Sequence, residues 1–169
     1  VISVWMFAGT LDFASGGILE SRMDPGYVPL LLGLFAFGIG KAALMPLHRW
    51  LPAAMVAPTP VSALLHAVAV VKAGVFSMLK ISIYIFGIDF LATTSASDWL
   101  VWVAAFSILA ASIVALSKTN LKARLAYSTI SQLGYIVLGA ALASPLAVSG
   151  AALHLSLIHI SEPTRPVVI

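Results

Sequence analysis

The chain has 169 residues, of which 61% are hydrophobic and 9% charged, against roughly 25% charged residues in a soluble globular domain. So few charges cannot solvate a surface in water, and several apolar runs approach the roughly 20 residues a helix needs to cross about 30 Å of hydrocarbon. The absence of cysteine removes disulfides, thiolate chemistry and cysteine-held metals, and the net charge of +3, with a pI near 9.5, comes from scattered basic residues that form no nucleic-acid-binding patch.

In chain order, Val1 to Ala8 reads as the end of an apolar span. It lacks both an initiator Met and a basic flank, which suggests a sequence that begins inside a longer one. Gly9 to Gly26, with Asp12, Glu20, Arg22 and Asp24, reads as a loop. A second span follows over about residues 28–47, with Lys41 inside it. Gly38, Gly40, Pro46, Pro52 and Pro58 oppose continuous helix, so a break or bend is predicted between Gly38 and Pro58.

Thr59-Pro60 is a helix-start signal, a capping-type residue followed by proline at the first helical position. It opens a third span over about residues 61–87 that contains His66, Lys72 and Lys80. After an acidic loop with Asp89 and Asp98, Trp99 to Ser117 runs without a charge and is the plainest spanning helix. A loop with Lys118, Lys122 and Arg124 leads to a span over about residues 125–143. Its Ser128, Thr129, Ser131, Gln132 and Tyr135 suit a helix facing protein or water rather than lipid. A last helical start covers Leu146 to His154. The expected fold is all-α, a polytopic bundle of transmembrane helices.

Basic residues near span ends favour the cytoplasmic side. This places His48-Arg49 and the Lys118, Lys122, Arg124 loop inside, and the Gly9–Gly26 and Gly87–Asp98 loops outside.

Three bases sit at bilayer depth. Lys41 lies well inside its span, where an ammonium costs several kcal/mol unless hydrated or paired. No Asp or Glu lies inside any span, so a carboxylate partner would have to come from elsewhere. Burial disfavours the charged form of lysine, the condition under which it exchanges a proton near neutral pH. The alternative for Lys41 is snorkelling to the interface. His66 and Lys72 are about 9 Å apart along a helix axis and about 120° around it, so they can line one cavity. Histidine titrates near physiological pH and can relay protons, or it can simply be a hydrogen-bonded packing residue. Lys80, nearer the outer end, reads as a snorkelling lysine. His48, Arg49, Lys122 and Arg124 read first as orientation signals, with Lys122 close enough to the polar helix to enter its cavity. The histidines lack the spacing of a metal site.

The runs Gly40-Lys41-Ala42-Ala43-Leu44-Met45-Pro46-Leu47-His48-Arg49-Trp50-Leu51-Pro52 and Ala57-Pro58-Thr59-Pro60-Val61-Ser62-Ala63-Leu64-Leu65-His66, with Val71-Lys72-Ala73-Gly74-Val75 and Asn120 to Tyr135, carry a specific resemblance. Over about residues 28–154 the chain resembles the proton-conducting membrane subunits shared by Mrp-type cation/proton antiporters, respiratory complex I and membrane-bound hydrogenases. The resemblance implies that Lys41 is the lysine of a broken helix paired with a glutamate two spans upstream. It implies that His66 and Lys72 belong to a central hydrophilic axis, and that Lys122 and His154 open a second inverted repeat, with His154 a further relay candidate. Ala53 stands where the family usually has Asp or Asn, while Ala53-Ala54-Met55-Val56 is most similar to the D-type protein of an Mrp-type antiporter.

The resemblance also implies other membrane subunits as partners in a hetero-oligomeric complex, protons and Na+ as the transported ions, and a bacterial inner membrane as the location. No cofactor motif is present. A quinone oxidoreductase or hydrogenase is the alternative host, and an inert membrane scaffold the alternative role. Leu155-Ser156-Leu157-Ile158-His159-Ile160-Ser161-Glu162-Pro163-Thr164-Arg165 resembles the translation of a transposase adapter used in sequencing libraries. Residues 1–154 are therefore expected to form the transporter region, truncated at both ends, and 155–169 a foreign tail that extends the last helix briefly or lies loose.

Overall fold

The computed structural model describes residues 2–10, 12–13, 16–19, 24–39, 44–54, 58 and 70–161, without the side chains of residues 3 and 159–161. Gly40, Lys41, His66, the Thr59-Pro60 start signal, Glu162 and Arg165 lie outside the described residues. Among the described residues every regular element is helical.

Helix α1 covers Ile2–Ala8, and a single 3-10 turn at Pro25–Tyr27 leads into α2, Val28–Gly38. The span expected to reach residue 47 is therefore shorter as a helix. Ile39, with φ −87° and ψ 49°, leaves helical geometry while its amide still bonds the Phe35 carbonyl at 2.8 Å. Chain beyond the break re-enters helix as a 3-10 turn, Leu47–Arg49, and the short α3, Trp50–Ala54. Pro52 falls in the opening turn of α3, where a missing N–H leaves no carbonyl unpaired.

The described part of the third span is α4, Val70–Lys80, followed by a π-helical segment, Ile81–Phe86. Two amides of the loop before α2, those of Ile18 and Leu19, donate to the Ile85 carbonyl at 3.0 and 3.1 Å. Leu19 is fully buried as a result. Gly17 (φ 93°) and Gly87 (φ 84°) meet at this contact, where a Cβ on Gly17 would lie 2.6 Å from the Gly87 nitrogen. Both positions need glycine, for the positive φ and for the close approach.

At Gly87 the chain turns by 81° into α5, Ile88–Thr94. The segment 87–98, expected to be loop, is thus largely helical. The acidic residues that suggested a loop sit in first turns, Asp89 in α5 and Asp98 in the next helix, where a carboxylate meets the positive end of the helix dipole.

Helix α6, Asp98–Ser117, has 20 residues and a mean hydropathy of 2.3. It is the one described unbroken helix long and apolar enough to cross a membrane, and the bent pair 70–86 and 88–94 passes jointly. Helix α7, Leu121–Ala141, starts four residues before the expected Leu125, because Asn120 caps it by accepting from the Lys122 amide at 3.0 Å. Helix α8, Pro145–Ser161, carries on past His154, with Leu155 and Ile158 packed partly against the core.

Helix α6 packs along α7, and α7 is held between α6, α8 and α4. Their shared interior contains Val71, Val75 and Met78 of α4, Ala104 and Ala111 of α6, and Ile130, Leu133, Ile136 and Val137 of α7. The opposite face of α6 is equally apolar: Trp102, Phe106, Leu109, Ile113 and Leu116 form an exposed ridge. A helix hydrophobic all round suits a solvent that is itself hydrocarbon.

Candidate functional site: a polar column inside the bundle

Lys72 lies in the first described turn of α4 and is 8% exposed, whereas its neighbours Ala73 and Phe76 face outward. The rotation of the helix therefore directs this lysine into the protein and away from the lipid side. Lys80 stands at the end of α4, two turns on. Its Nζ lies 5.4 Å from the Phe13 ring centroid and 5.3 Å from that of Phe76. The partly exposed lysine forms a cation–π clamp that ties the loop before α2 to α4.

Hydroxyl, amide and imidazole groups of α6, α7 and α8 also pair, at three separate places. Ser107 Oγ donates to the Val103 carbonyl at 2.8 Å and accepts from the Met45 amide at 3.1 Å. Met45 lies just after the break in the second span, so a buried hydroxyl from α6 satisfies a backbone donor there. Unpaired backbone groups are costly away from water. Ser112 Oγ donates to the Ile108 carbonyl at 2.8 Å and lies 3.0 Å from Ser131 Oγ, linking α6 to α7.

One residue along, Gln132 Oε1 is 2.9 Å from His154 Nε2 on α8, and the Tyr135 ring stands edge-on to the imidazole at 6.1 Å. The two bonded residues are equally far from the α7–α8 turn, about 13 Å along each helix axis. That depth is close to the middle of a roughly 30 Å hydrocarbon layer. An open cleft of about 390 Å³ runs past them, with Gln132, Tyr135, Gly139, Ala147, Gly150 and His154 among its lining residues.

At the opposite end of α7, the Tyr127 ring lies 5.9 Å from the His48 ring and 5.9 Å from Lys118 Nζ. The buried His48 Nδ1 has no hydrogen-bond partner. This tyrosine brings the two basic segments, 47–49 and 118–124, to the same end of the bundle. Lys122 is exposed at the start of α7. Gly38 is exposed at the end of α2, Pro46 is exposed in the turn before α3, and Pro52 is half-buried within α3.

Of the relay candidates with described side chains, Lys72 is inside the bundle, His154 is hydrogen-bonded at mid-depth, and Lys122 is at an exposed end. Ser107 and Gln132 take parts in this column that their sequence positions did not announce. Gln132 was visible only as one polar residue in a helix, and Ser107 as a serine in the charge-free span. Among the described residues no three His, Asp or Glu side chains group as a metal site would need. What the column offers is a set of proton donors and acceptors in an apolar surround.

A family model described as "NADH:quinone oxidoreductase/Mrp antiporter, TM" matches residues 1–162. The chain is 41% identical over 134 residues to NADH-ubiquinone oxidoreductase chain 5 of Allomyces macrogynus, covering 79% of this chain and 20% of that protein. It is 41% identical over 143 residues to the A/B component of a probable K(+)/H(+) antiporter of Rhizobium meliloti, covering 84% of this chain and 14% of the relative. In three dimensions it is similar to a chain in the structure of the Mrp complex from Dietzia sp. DQ12-45-1b, with a TM-score of 0.75 and 32% identity over 93% of this chain and 17% of that one. The chain thus spans about a fifth or less of these relatives' length. The two curated relatives are a chain 5 and an A/B component, whereas the wording of Ala53 to Val56 suggests the D-type protein.

Proposed function

The chain belongs to the NADH:quinone oxidoreductase/Mrp antiporter transmembrane family, and from that premise we propose that it is the proton-conducting part of a larger membrane protein of the chain 5 or A/B type. In this reading Lys41, His66, Lys72, Lys122 and His154 hand protons along the interior of the helix bundle. The observation that carries it is the burial of Lys72, a lysine 8% exposed on the packed face of α4. A scaffold gains nothing from an ammonium at that depth, which costs free energy to keep there. A proton path needs such a group, because a base that can be neutral or charged inside the protein stores and releases one proton. Arginine cannot take its place, since it does not deprotonate.

Relatives of both the oxidoreductase and the antiporter type match at 41%. The proposal therefore concerns the proton path and leaves the driving reaction to the rest of the complex. The partners in this reading are other membrane subunits, and a monovalent cation is exchanged where the host is an antiporter. A multi-pass place in a bacterial plasma membrane fits the matches in Rhizobium meliloti and Dietzia. Residues 1–154 form the transporter region and 155–169 a foreign tail, a division that rests on the adapter-like wording from Leu155 onward.

The test uses the full-length parent protein in its assembled complex, reconstituted in vesicles with a pH-sensitive dye. Lys41→Ala and Lys41→Arg should both abolish proton-coupled transport while the complex still assembles. Full transport by Lys41→Ala would end the relay reading.

A further inference from the structure

We infer that Gln132 is a positioning residue for His154, fixing which imidazole nitrogen carries the proton and which way the free nitrogen points. The inference deepens the relay reading and rests on it. Gln132 Oε1 lies 2.9 Å from His154 Nε2 across the α7–α8 pair. An amide oxygen is an acceptor only, so this contact requires a hydrogen on Nε2. In a neutral imidazole the other nitrogen, Nδ1, is then left as the acceptor. The Tyr135 ring, edge-on at 6.1 Å, limits rotation of the imidazole on one side. Residues of the cleft, about 390 Å³ in volume, include Gln132, Tyr135 and His154, so the ring borders a space large enough for several waters.

Gln132 is itself held in place. Its neighbour Ser131 is buried against α6, 3.0 Å from Ser112 Oγ, which fixes the rotation of α7 about its axis. Gly139, two turns further on, lets α8 come close: a Cβ there would lie 2.8 Å from Ala151 Cβ. The distance from Gln132 to His154 is therefore set by the packing of three helices. An orienting acceptor on one imidazole nitrogen fixes the tautomer and leaves the other nitrogen ready to take a proton. When the ring is doubly protonated, the same oxygen keeps Nε2–H in place, so the proton that leaves is the one on Nδ1. Each cycle moves one proton onto Nδ1 and off it, with no net change in the glutamine.

The experiment compares Gln132→Leu, Gln132→Glu, His154→Ala and the double variant Gln132→Leu/His154→Ala in the assembled complex with the full-length protein, measuring proton-coupled transport in vesicles. Gln132→Leu removes the acceptor at similar volume and should lower transport about tenfold or more, taking as the scale the loss of an orienting partner from a metal-bound histidine. Gln132→Glu keeps an acceptor oxygen at the same reach and should recover most of that loss. A residue that acts only through His154 makes the double variant no slower than His154→Ala alone.

Three outcomes overturn the inference while the relay stands: transport unaffected by Gln132→Leu when His154→Ala abolishes it, losses that multiply in the double variant, or no recovery by Gln132→Glu in a complex that assembles normally. Full transport by His154→Ala removes His154 from the relay, and this inference with it, a result that Gln132→Leu by itself does not give.

Discussion

Lys72 and Lys80 lie two turns apart on one continuous helical run and have different surroundings. Lys72 is enclosed by the bundle, while Lys80 rests between the rings of Phe13 and Phe76. Removing the Lys72 amine should therefore strike at conduction. We expect Lys72→Met to reduce proton-coupled transport about a hundredfold, the scale on which a positioned proton donor or acceptor contributes, with assembly checked by size-exclusion chromatography. Lys80→Ala should leave transport within about twofold and instead loosen the loop at residues 12–19, because each cation–π contact contributes about 0.5–1 kcal/mol. Limited proteolysis of that loop is the readout, and equal cleavage in both proteins would contradict the clamp. The depth of Lys72 was legible because apolar residues flank it on both sides. The ring partner Phe13 was not, being far away in sequence and in a stretch with no periodicity. The same limit hid the bond from Gln132 to His154, since a contact between helices leaves no mark in either one's own pattern.

At the level of elements, long charge-free runs were readable and interruptions were readable only in part. Helix α6 differs from its expected bounds by one residue, because nothing in Trp99 to Ser117 competes with helix. The end of α2 at Gly38 came nine residues before the expected limit. Glycine and proline mark where a helix is weakened but not where it stops. No residue between Ile81 and Phe86 announces a π-helical turn, and the loop amides that bond the Ile85 carbonyl come from far away in sequence. The spacing of α7 and α8 offers a direct test. A Cβ at Gly139 would meet Ala151 Cβ at 2.8 Å and the Ala147 carbonyl oxygen at 2.9 Å, whereas Gly150 has nothing within 4 Å. Gly139→Ala should destabilise the protein by about 1–3 kcal/mol, the usual cost of overpacking. Gly150→Ala should be neutral or stabilise by up to about 1 kcal/mol through helix propensity. Thermal unfolding in detergent would rank the two, and the reverse order would show that α7 and α8 do not pack this closely.

For the molecule as a whole, the apolar ridge of α6 defines the solvent. A carboxylate at Leu109, in the middle of that ridge, should cost about 3 kcal/mol on insertion. In a glycosylation-mapping assay Leu109→Asp should therefore shift α6 from inserted to translocated, whereas Ser107→Ala should not. Orientation can be tested in the same system, because the chain has no cysteine of its own. Ser95→Cys should react with an impermeant thiol reagent only from outside, and Thr119→Cys only from inside. Labelling of both from one side would refute the alternating path.

The bond from Ile18 and Leu19 to Ile85 has a consequence for biogenesis. A ribosome finishes the early loop long before it makes the carbonyl on which that loop depends. Until the π-helical segment has been threaded into the bilayer, the two amides have only water as a partner, and the Gly17–Gly87 contact does not exist. The first loop of this chain is therefore synthesised early and set late, and its final shape depends on a helix that the insertion machinery has yet to receive.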